Sequence, residues 1–278
     1  MITLSDYNYI QNCEELQNVL NKLAEWSQKN LLPFNVSKCV KITFTKKKNI
    51  LNYPYKILEN KLTNVQEVRD LGILLDQKLS FSKHIDEITL RSKKIQGFII
   101  RNSRNYKNPQ TIKMLYFSFV RSILEFSSFI WDPGRIDLIN KIESIQRKFL
   151  KYLYSKLFSY YPFDVTYQEL LIGFEITTLE NRRKLAGIIF LRDILNGRTS
   201  DSDILACIHL KVPNFNSRFN DLFAIPRYSN HNIRLIRSLK LFNTIVRLNP
   251  NIDIFHMNRP MFIFAVQRGF PATPPSCN

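Results

Sequence analysis

The sequence predicts a mainly α fold with a small α+β part at its N-terminus, on two observations. Short runs of alternating apolar and polar residues, the pattern of a half-buried strand, occur only before about residue 80. From residue 81, apolar residues recur at three- and four-residue intervals over three long stretches. At 278 residues and 45% hydrophobic composition, the chain can bury one large core or two modest ones.

Asn12 followed by Glu15 has capping-box spacing, and Leu16, Val19, Leu20 and Leu23 give a first helix its buried stripe. In "CVKITF", Val40, Ile42 and Phe44 fall on one side of a strand and Lys41 and Thr43 on the other, with a turn expected at 46–49. Tyr55 and Ile57 alternate ahead of Glu59 and Asn60 as in a hairpin, and "VRDLGILLD" reads as a short apolar strand interrupted by Gly72. Phe81, Ile85, Ile88, Ile95, Phe98 and Ile99 then line one face of a long helix. A second starts at Pro109, where a residue without an N–H leaves no donor unpaired, and points Ile112, Leu115, Tyr116, Phe119, Val120 and Ile123 inward. A third runs from about Arg135 to Tyr154 through Ile139, Ile142, Ile145, Phe149 and Leu150.

After the aromatic linker "SKLFSYYPFDV", a helix starting near Thr177, with Glu180 at capping-box spacing, ends at Gly197. Short helical pieces are expected near 201–209 and 232–247, and "PATPPSCN" reads as a disordered end. The expected organisation is 1–80, 81–160, 161–265 and a tail over 266–278.

The charge is uneven. Forty Lys plus Arg against 23 Asp plus Glu give a net charge of +17, which favours a polyanionic partner, nucleic acid before an anionic membrane. Between Glu87 and Glu125 no acidic residue interrupts Arg91, Lys93, Lys94, Arg101, Arg104, Lys107, Lys113 and Arg121. That cluster is the candidate phosphate-binding surface. The final third is also basic, with Lys211, Arg218, Arg227, Arg234, Arg237, Lys240, Arg247, Arg259 and Arg268, and arginine suits phosphate oxygens.

Catalytic signatures are missing. The chain contains no Asp-Asp pair and no glycine loop of the GxGxxG or GxxxxGK kind. Asp201 and Asp203 are better read as capping a helix than as metal ligands. The four histidines are isolated, no GxSxG elbow supports a nucleophile, and four scattered cysteines signal neither zinc nor a disulfide framework. No metal site and no small-molecule substrate are expected. The first residues lack a signal peptide's pattern, so the expected location is intracellular, nuclear or cytoplasmic, with no transmembrane segment and no membrane partner.

Several blocks share the order and spacing of a known family. "NCEELQNVLNKLAEWSQKNLLPFNVSKCVKITFTKKKN", "VRDLGILLDQKLSFSKHI", "LYFSFVRSILEFSSFIWDP", "IESIQRKFLKYL" and "LENRRKLAGIIFLRDILNGR" resemble the C-terminal half of reverse transcriptases from non-LTR (LINE-type, jockey-like) retrotransposons, over residues 10 to about 220. The resemblance implies a residual palm sheet over 1–80, a thumb-like helix bundle over 81–160 and a C-terminal helical region over 161–265. It aligns Lys38 with an accessory palm lysine that assists pyrophosphate departure, and Leu71 and Gly72 with the turn that grips the primer. It assigns template-primer contact to Arg91, Lys93, Lys94, Arg101, Arg104, Lys107 and Lys113.

The family's fingers and catalytic aspartates, with the Mg2+ they bind, would precede Met1. The resemblance therefore implies a fragment of an RNA-directed DNA polymerase that binds RNA or RNA/DNA duplex, with the missing upstream polymerase half as a further partner, without polymerising and with no cofactor of its own. The alternative is an element-derived helical module for nucleic-acid or protein interaction with no enzymatic role.

Overall fold

The structure is a computed structural model that describes residues 9–45, 52–106, 108–212, 221–226 and 233–270. The fold is mainly α with small strand pairs, and the chain divides into two compact units, Met1–His84 and Ile85–Asn278. The turn expected at 46–49 and the "PATPPSCN" segment lie outside the described residues.

In the first unit, helix α1 (Tyr9–Lys29) starts ahead of Asn12, which lies inside the helix and does not cap it. Its buried stripe is Cys13, Leu20, Ala24 and Ser27, whereas Val19 is exposed. A single 3-10 turn, Val36–Lys38, follows. Six short strands come next: β1 (Val40–Lys41), β2 (Lys56–Ile57), β3 (Asn60–Lys61), β4 (Thr63–Asn64), β5 (Glu67–Asp70) and β6 (Ile73–Asp76).

β1 pairs in parallel with β4, while β2 with β3 and β5 with β6 are antiparallel. These are separate two-stranded ladders, not one sheet. The bond from Val65 N–H to the Lys41 carbonyl (2.8 Å) extends the β1–β4 pair, and one from Thr45 N–H to the Gln77 carbonyl (2.9 Å) links the residues that follow β1 and β6. The in-and-out pattern expected for residues 40–44 is not realised: Val40 is exposed and Lys41 half-buried. The reason is the Lys41 ammonium, which donates to Asn52 Oδ1 (2.7 Å) and the Tyr53 carbonyl (2.9 Å).

Cys13 and Leu20 of α1 form a small core with Tyr55 and Ile57 of the β2–β3 hairpin. Gln17 completes the join. Its amide donates to the Lys56 carbonyl and accepts from the Lys56 N–H, both at 2.9 Å, so a side chain occupies the strand edge where a further strand would otherwise pair. The hairpin turns through Leu58 and Glu59, both at positive φ (47° and 64°), a geometry that glycine and asparagine enter more cheaply.

The segment "VRDLGILLD" is itself a hairpin. Asp70 faces Ile73 across the β5–β6 ladder, which leaves Leu71 (φ 45°) and Gly72 (φ 88°) as a two-residue turn. The strand expected to be interrupted by Gly72 is thus folded back at it. Beyond β6, the Asp76 carboxylate accepts from the N–H groups of Lys78 (3.0 Å), Ser80 (3.1 Å) and Phe81 (2.8 Å) and from the Ser80 hydroxyl (3.0 Å). These bonds hold a loop in which Leu79 and Phe81 both take positive φ. His84 is buried, and its Nδ1 accepts from the Leu74 N–H at 3.3 Å.

The second unit is helical. Helix α2 (Ser82–Asn102) continues into it, followed by α3 (Pro109–Tyr116), capped by Asn108, whose side chain accepts from the Gln110 N–H at 2.9 Å. A π turn, Phe117–Arg121, runs into α4 (Ser122–Glu125), then come α5 (Ser128–Trp131) and α6 (Ile136–Phe158). The wide turn carries the buried stripe along Ile112, Tyr116, Val120 and Leu124 and leaves Phe119, expected inward, exposed. The Tyr116 ring stacks on Phe149 of α6 with centroids 4.0 Å apart.

Helix α7 (Tyr167–Gly173) starts with a Thr166–Glu169 capping box, and α8 (Leu179–Leu195) is capped by Thr178, one residue after the position expected. Asp201 caps α9 (Ser202–Ala206), accepting from the Ile204 N–H at 2.9 Å, which is the capping role read from its sequence position. A last strand pair, β7 (His209–Leu210) with β8 (Phe223–Ala224), precedes α10 (Ile233–Leu248) and α11 (Arg259–Arg268). Helix α11 is not signalled by the sequence reading, and it runs past residue 265, where the tail was expected to begin. Its Phe262 and Val266 enter a core with Ile188, Leu191, Leu239 and Phe242. Gly187 lets α8 approach α10: a Cβ there would sit 2.6 Å from the Ser238 hydroxyl.

Polar ties fix these helices. The Arg182 guanidinium forks onto the Glu125 carboxylate, with Nη2 at 2.8 Å, and the neighbouring Arg183 donates from Nε to Asp132 at 2.8 Å. Glu143 of α6 accepts from the Tyr167 hydroxyl (2.6 Å) and from the Glu180 N–H at the start of α8 (2.7 Å), where the helix dipole favours a carboxylate. One turn on, Gln146 donates to the Thr177 carbonyl and the Tyr167 hydroxyl, both at 3.0 Å. No helix among the described residues is long and apolar enough to cross a membrane.

Candidate nucleic-acid interface

The exposed side of α2 follows from its buried side. Ile85, Thr89, Ser92, Gln96, Ile99 and Ser103 are buried, a stripe at three- and four-residue spacing that selects small and polar groups over the larger apolar ones nearby. Gln96 reaches the Ile145 carbonyl of α6 at 3.0 Å, and the Ser103 hydroxyl meets the Tyr152 hydroxyl at 2.8 Å. Because these bonds set the rotation of the helix, Phe98, expected inward, is 61% exposed, and Ile88 and Ile95 are half-buried.

That rotation turns Arg91, Lys94 and Arg101 outward along one side, with Lys93 on its flank, all exposed. None of the four has an ion-pair partner among the described residues. Leu90, just ahead of Arg91, and Phe98, between Lys94 and Arg101, are exposed as well. Ten residues of helix separate Arg91 from Arg101, about 15 Å, or roughly four steps of a duplex at about 3.4 Å each. A row of cations interleaved with an exposed ring can engage phosphates and also pack on sugar or base.

The other expected contacts diverge. Arg104 is exposed just past the helix, where its carbonyl accepts from the Lys156 ammonium. Lys107 lies outside the described residues. Lys113 is half-buried and donates to the Phe174 carbonyl at 2.7 Å, so its ammonium ties α3 to the end of α7. The cations of the final third are largely engaged within the protein. Lys211 and Arg247 share Asp221 (3.0 and 2.6 Å), Arg259 holds Asp193 (2.9 Å), and Arg268 lies 4.3 Å from the Phe264 ring. Arg218 and Arg227 lie outside the described residues.

In the first unit, Leu71 is 87% exposed at the hairpin tip. A leucine gains nothing there from burial and sits in a backbone region that costs non-glycine residues about 1–2 kcal/mol. Lys38 is exposed at the end of the 3-10 turn, its N–H bonded to the Asn35 carbonyl at 3.0 Å. Lys41, which the sequence places on the polar side of a strand, is half-buried instead: burial lowers its pKa below the ordinary lysine value, Lys61 adding to the effect against Cys13. Tyr53 and Tyr55, two alternating aromatic residues, were the available signal for a covered lysine nearby.

Among the described residues, no three His, Cys, Asp or Glu side chains are placed to hold a metal ion.

No family model and no solved structure matches the chain. Two curated proteins do. It is 26% identical over 147 residues to the probable RNA-directed DNA polymerase from transposon X-element of Drosophila melanogaster, covering 50% of this chain and 16% of that protein. It is 25% identical over 145 residues to the RNA-directed DNA polymerase from mobile element jockey of Drosophila funebris, covering 51% of this chain and 16% of that protein. The matched stretch thus spans about one sixth of each relative's length. Over about half of its length the chain is thus similar to RNA-directed DNA polymerases of jockey-like non-LTR retrotransposons.

Proposed function

We propose that the chain is part of a non-LTR retrotransposon reverse transcriptase and that it binds template-primer nucleic acid, RNA or an RNA/DNA duplex, without supplying the chemistry of polymerisation. The observation that carries this reading is the outer side of α2, where Arg91, Lys94 and Arg101 run beside Phe98 with no ion-pair partner among the described residues. Under the same reading, residues 1–80 are a palm segment, 81–160 a thumb and 161–265 a supporting helical region. The tip formed by Leu71 and Gly72 then meets the primer, with Gly72 allowing close backbone approach. Lys38 becomes an accessory lysine only beside aspartates that are not among these 278 residues.

The test is a salt titration of duplex binding by the full chain. Four phosphates neutralised by Arg91, Lys93, Lys94 and Arg101 give a slope of log K against log salt of about −3.6 on B-form DNA. Changing Arg91, Lys94 and Arg101 to Glu should weaken binding strongly and make the slope shallower by about 3. Unchanged affinity in that variant would overturn the proposal.

A second reading, a protein-interaction module, draws on α1. Trp26 is exposed on it, as are Leu31 and Leu32 just beyond its end, an apolar surface that suits the upstream polymerase half as partner. Duplex binding that is absent while a separately produced upstream half is bound would favour this second reading.

A further inference from the structure

We infer that the end of α6 carries a second nucleic-acid contact, a stacking platform for single-stranded nucleic acid. It rests on the nucleic-acid reading of α2 but on different residues. Tyr154, Phe158 and Tyr160 group ring to ring, with Tyr154 centred 4.4 Å from Phe158 and 5.4 Å from Tyr160. Tyr161 and Phe163 form a second pair at 4.8 Å. Phe158, Tyr160, Tyr161 and Phe163 are nevertheless exposed, Phe163 by 81%. Rings gathered at a surface, not in the core, mark a place where something else covers them.

Charge indicates what covers them. From Ser144 to Phe163 the sequence has no acidic residue but includes Arg147, Lys148, Lys151 and Lys156, and the Lys151 ammonium lies 5.5 Å from the Tyr161 ring. The patch also adjoins the C-terminal end of α2. Lys156 donates to the Arg104 carbonyl, and the Tyr152 hydroxyl meets Ser103 (2.8 Å) and the Ile100 carbonyl (3.4 Å). Duplex bases are stacked on one another and offer no face to a side chain, so the rings select unpaired bases, whose faces stack on aromatic groups with little regard to sequence.

The experiment compares a labelled twenty-nucleotide oligothymidylate with a blunt duplex of equal length, by fluorescence anisotropy on the full chain. Changing Phe158, Tyr160 and Phe163 to Ala should weaken oligothymidylate binding roughly ten- to hundred-fold. Duplex affinity and the salt slope should hold, because no cation is removed. Equal affinity for the single strand would overturn this inference while leaving the α2 reading intact, and a wild-type chain that binds neither probe would overturn both. Tyr161→Trp gives a direct readout: oligothymidylate should quench the new indole, and a signal unchanged at saturating oligonucleotide would count against stacking. Loss of binding to phosphatidylserine vesicles in the Ala variant, with oligothymidylate affinity unchanged, would reassign the rings to a membrane and overturn the inference.

Discussion

Arg183 makes a sharp test of how the second unit is held together. Its side chain is fully enclosed, it donates from Nε to Asp132 at 2.8 Å, and its Nη1 and Nη2 are buried without a hydrogen-bond partner. A desolvated cation with one compensating carboxylate is stable only while that carboxylate stays. Asp132→Ala would strand the charge and should cost about 3–5 kcal/mol, a large part of the roughly 5–15 kcal/mol that holds a domain. Arg183→Met removes the desolvated charge together with its two unpartnered nitrogens, so it should lie within about 1 kcal/mol of wild type or above it. The double variant should resemble Arg183→Met, giving a coupling as large as the cost of Asp132→Ala alone, about 3–5 kcal/mol. Urea unfolding followed by fluorescence reports this locally, since Trp131 is fully buried beside Asp132. A cost below about 1 kcal/mol for Asp132→Ala, or a double variant as unstable as that single one, would refute the reasoning.

Three further outcomes are expected. Glu143→Ala leaves the Tyr167 hydroxyl and the Glu180 N–H without their acceptor and should lower stability by about 2–4 kcal/mol in thermal or urea melts, whereas Tyr167→Phe should cost only about 1 kcal/mol. Glu59→Gly places glycine at a positive φ of 64° on an exposed turn and should stabilise the first unit by about 1 kcal/mol, seen as slower hydrogen exchange in the β2–β3 hairpin. For Asp76, burial opposes ionisation, but the N–H groups of Ser80 and Phe81, the Ser80 hydroxyl and the Lys78 N–H outweigh it and hold the carboxyl below the usual range. A depressed folded-state pKa means stability that is present above the unfolded value of about 3.9 and lost as pH falls through the folded value. Melts between pH 5 and pH 3 should show a steeper loss for wild type than for Asp76→Asn, and parallel profiles would count against this role.

What the sequence made legible was whatever depends on apolar spacing. Ile112, Tyr116 and Val120, then Ile142, Ile145, Phe149 and Leu150, were all expected inward and are buried. Rotation of α2 was not legible, because Gln96 and Ser103 decide it through partners 49 residues away on α6, and a periodicity argument ranks Phe98 above both. The π turn at Phe117–Arg121 likewise shifts a stripe by a step that no local pattern announces. Charge clustering identified the cations of α2 but could not separate Arg91, Lys94 and Arg101 from Lys113. Only the fold shows that the Phe174 carbonyl takes up the Lys113 ammonium. The same blindness applies to Arg247 and Lys211, whose common partner Asp221 lies 26 and 10 residues away along the chain.

The blocks that carry the family resemblance turn out to be mostly ties within the fold. Glu125 and Asp132 of "LEFSSFIWDP" hold Arg182 and Arg183 of "LENRRKL". Glu143 and Gln146 of "IESIQ" hold the start of α8 and Tyr167. Asp76 and His84 of "LLDQKLSFSKHI" brace the loop and hairpin ahead of α2. The residues assigned here to nucleic acid are exposed and make few such ties, and Lys93, Lys94 and Arg101 could change without loosening the frame. Under the proposed function, kinship and binding strength are therefore carried by different side chains. A chain can keep every motif and the fold while losing the cations of α2, and it would then be recognisable as a relative yet fail to bind. Conversely, an Asp132 variant keeps all of those cations but loses the frame that aims them. Measuring stability and duplex affinity on the same set of variants separates the two, because the α2 substitutions should move only affinity and the Asp132 substitution should move both.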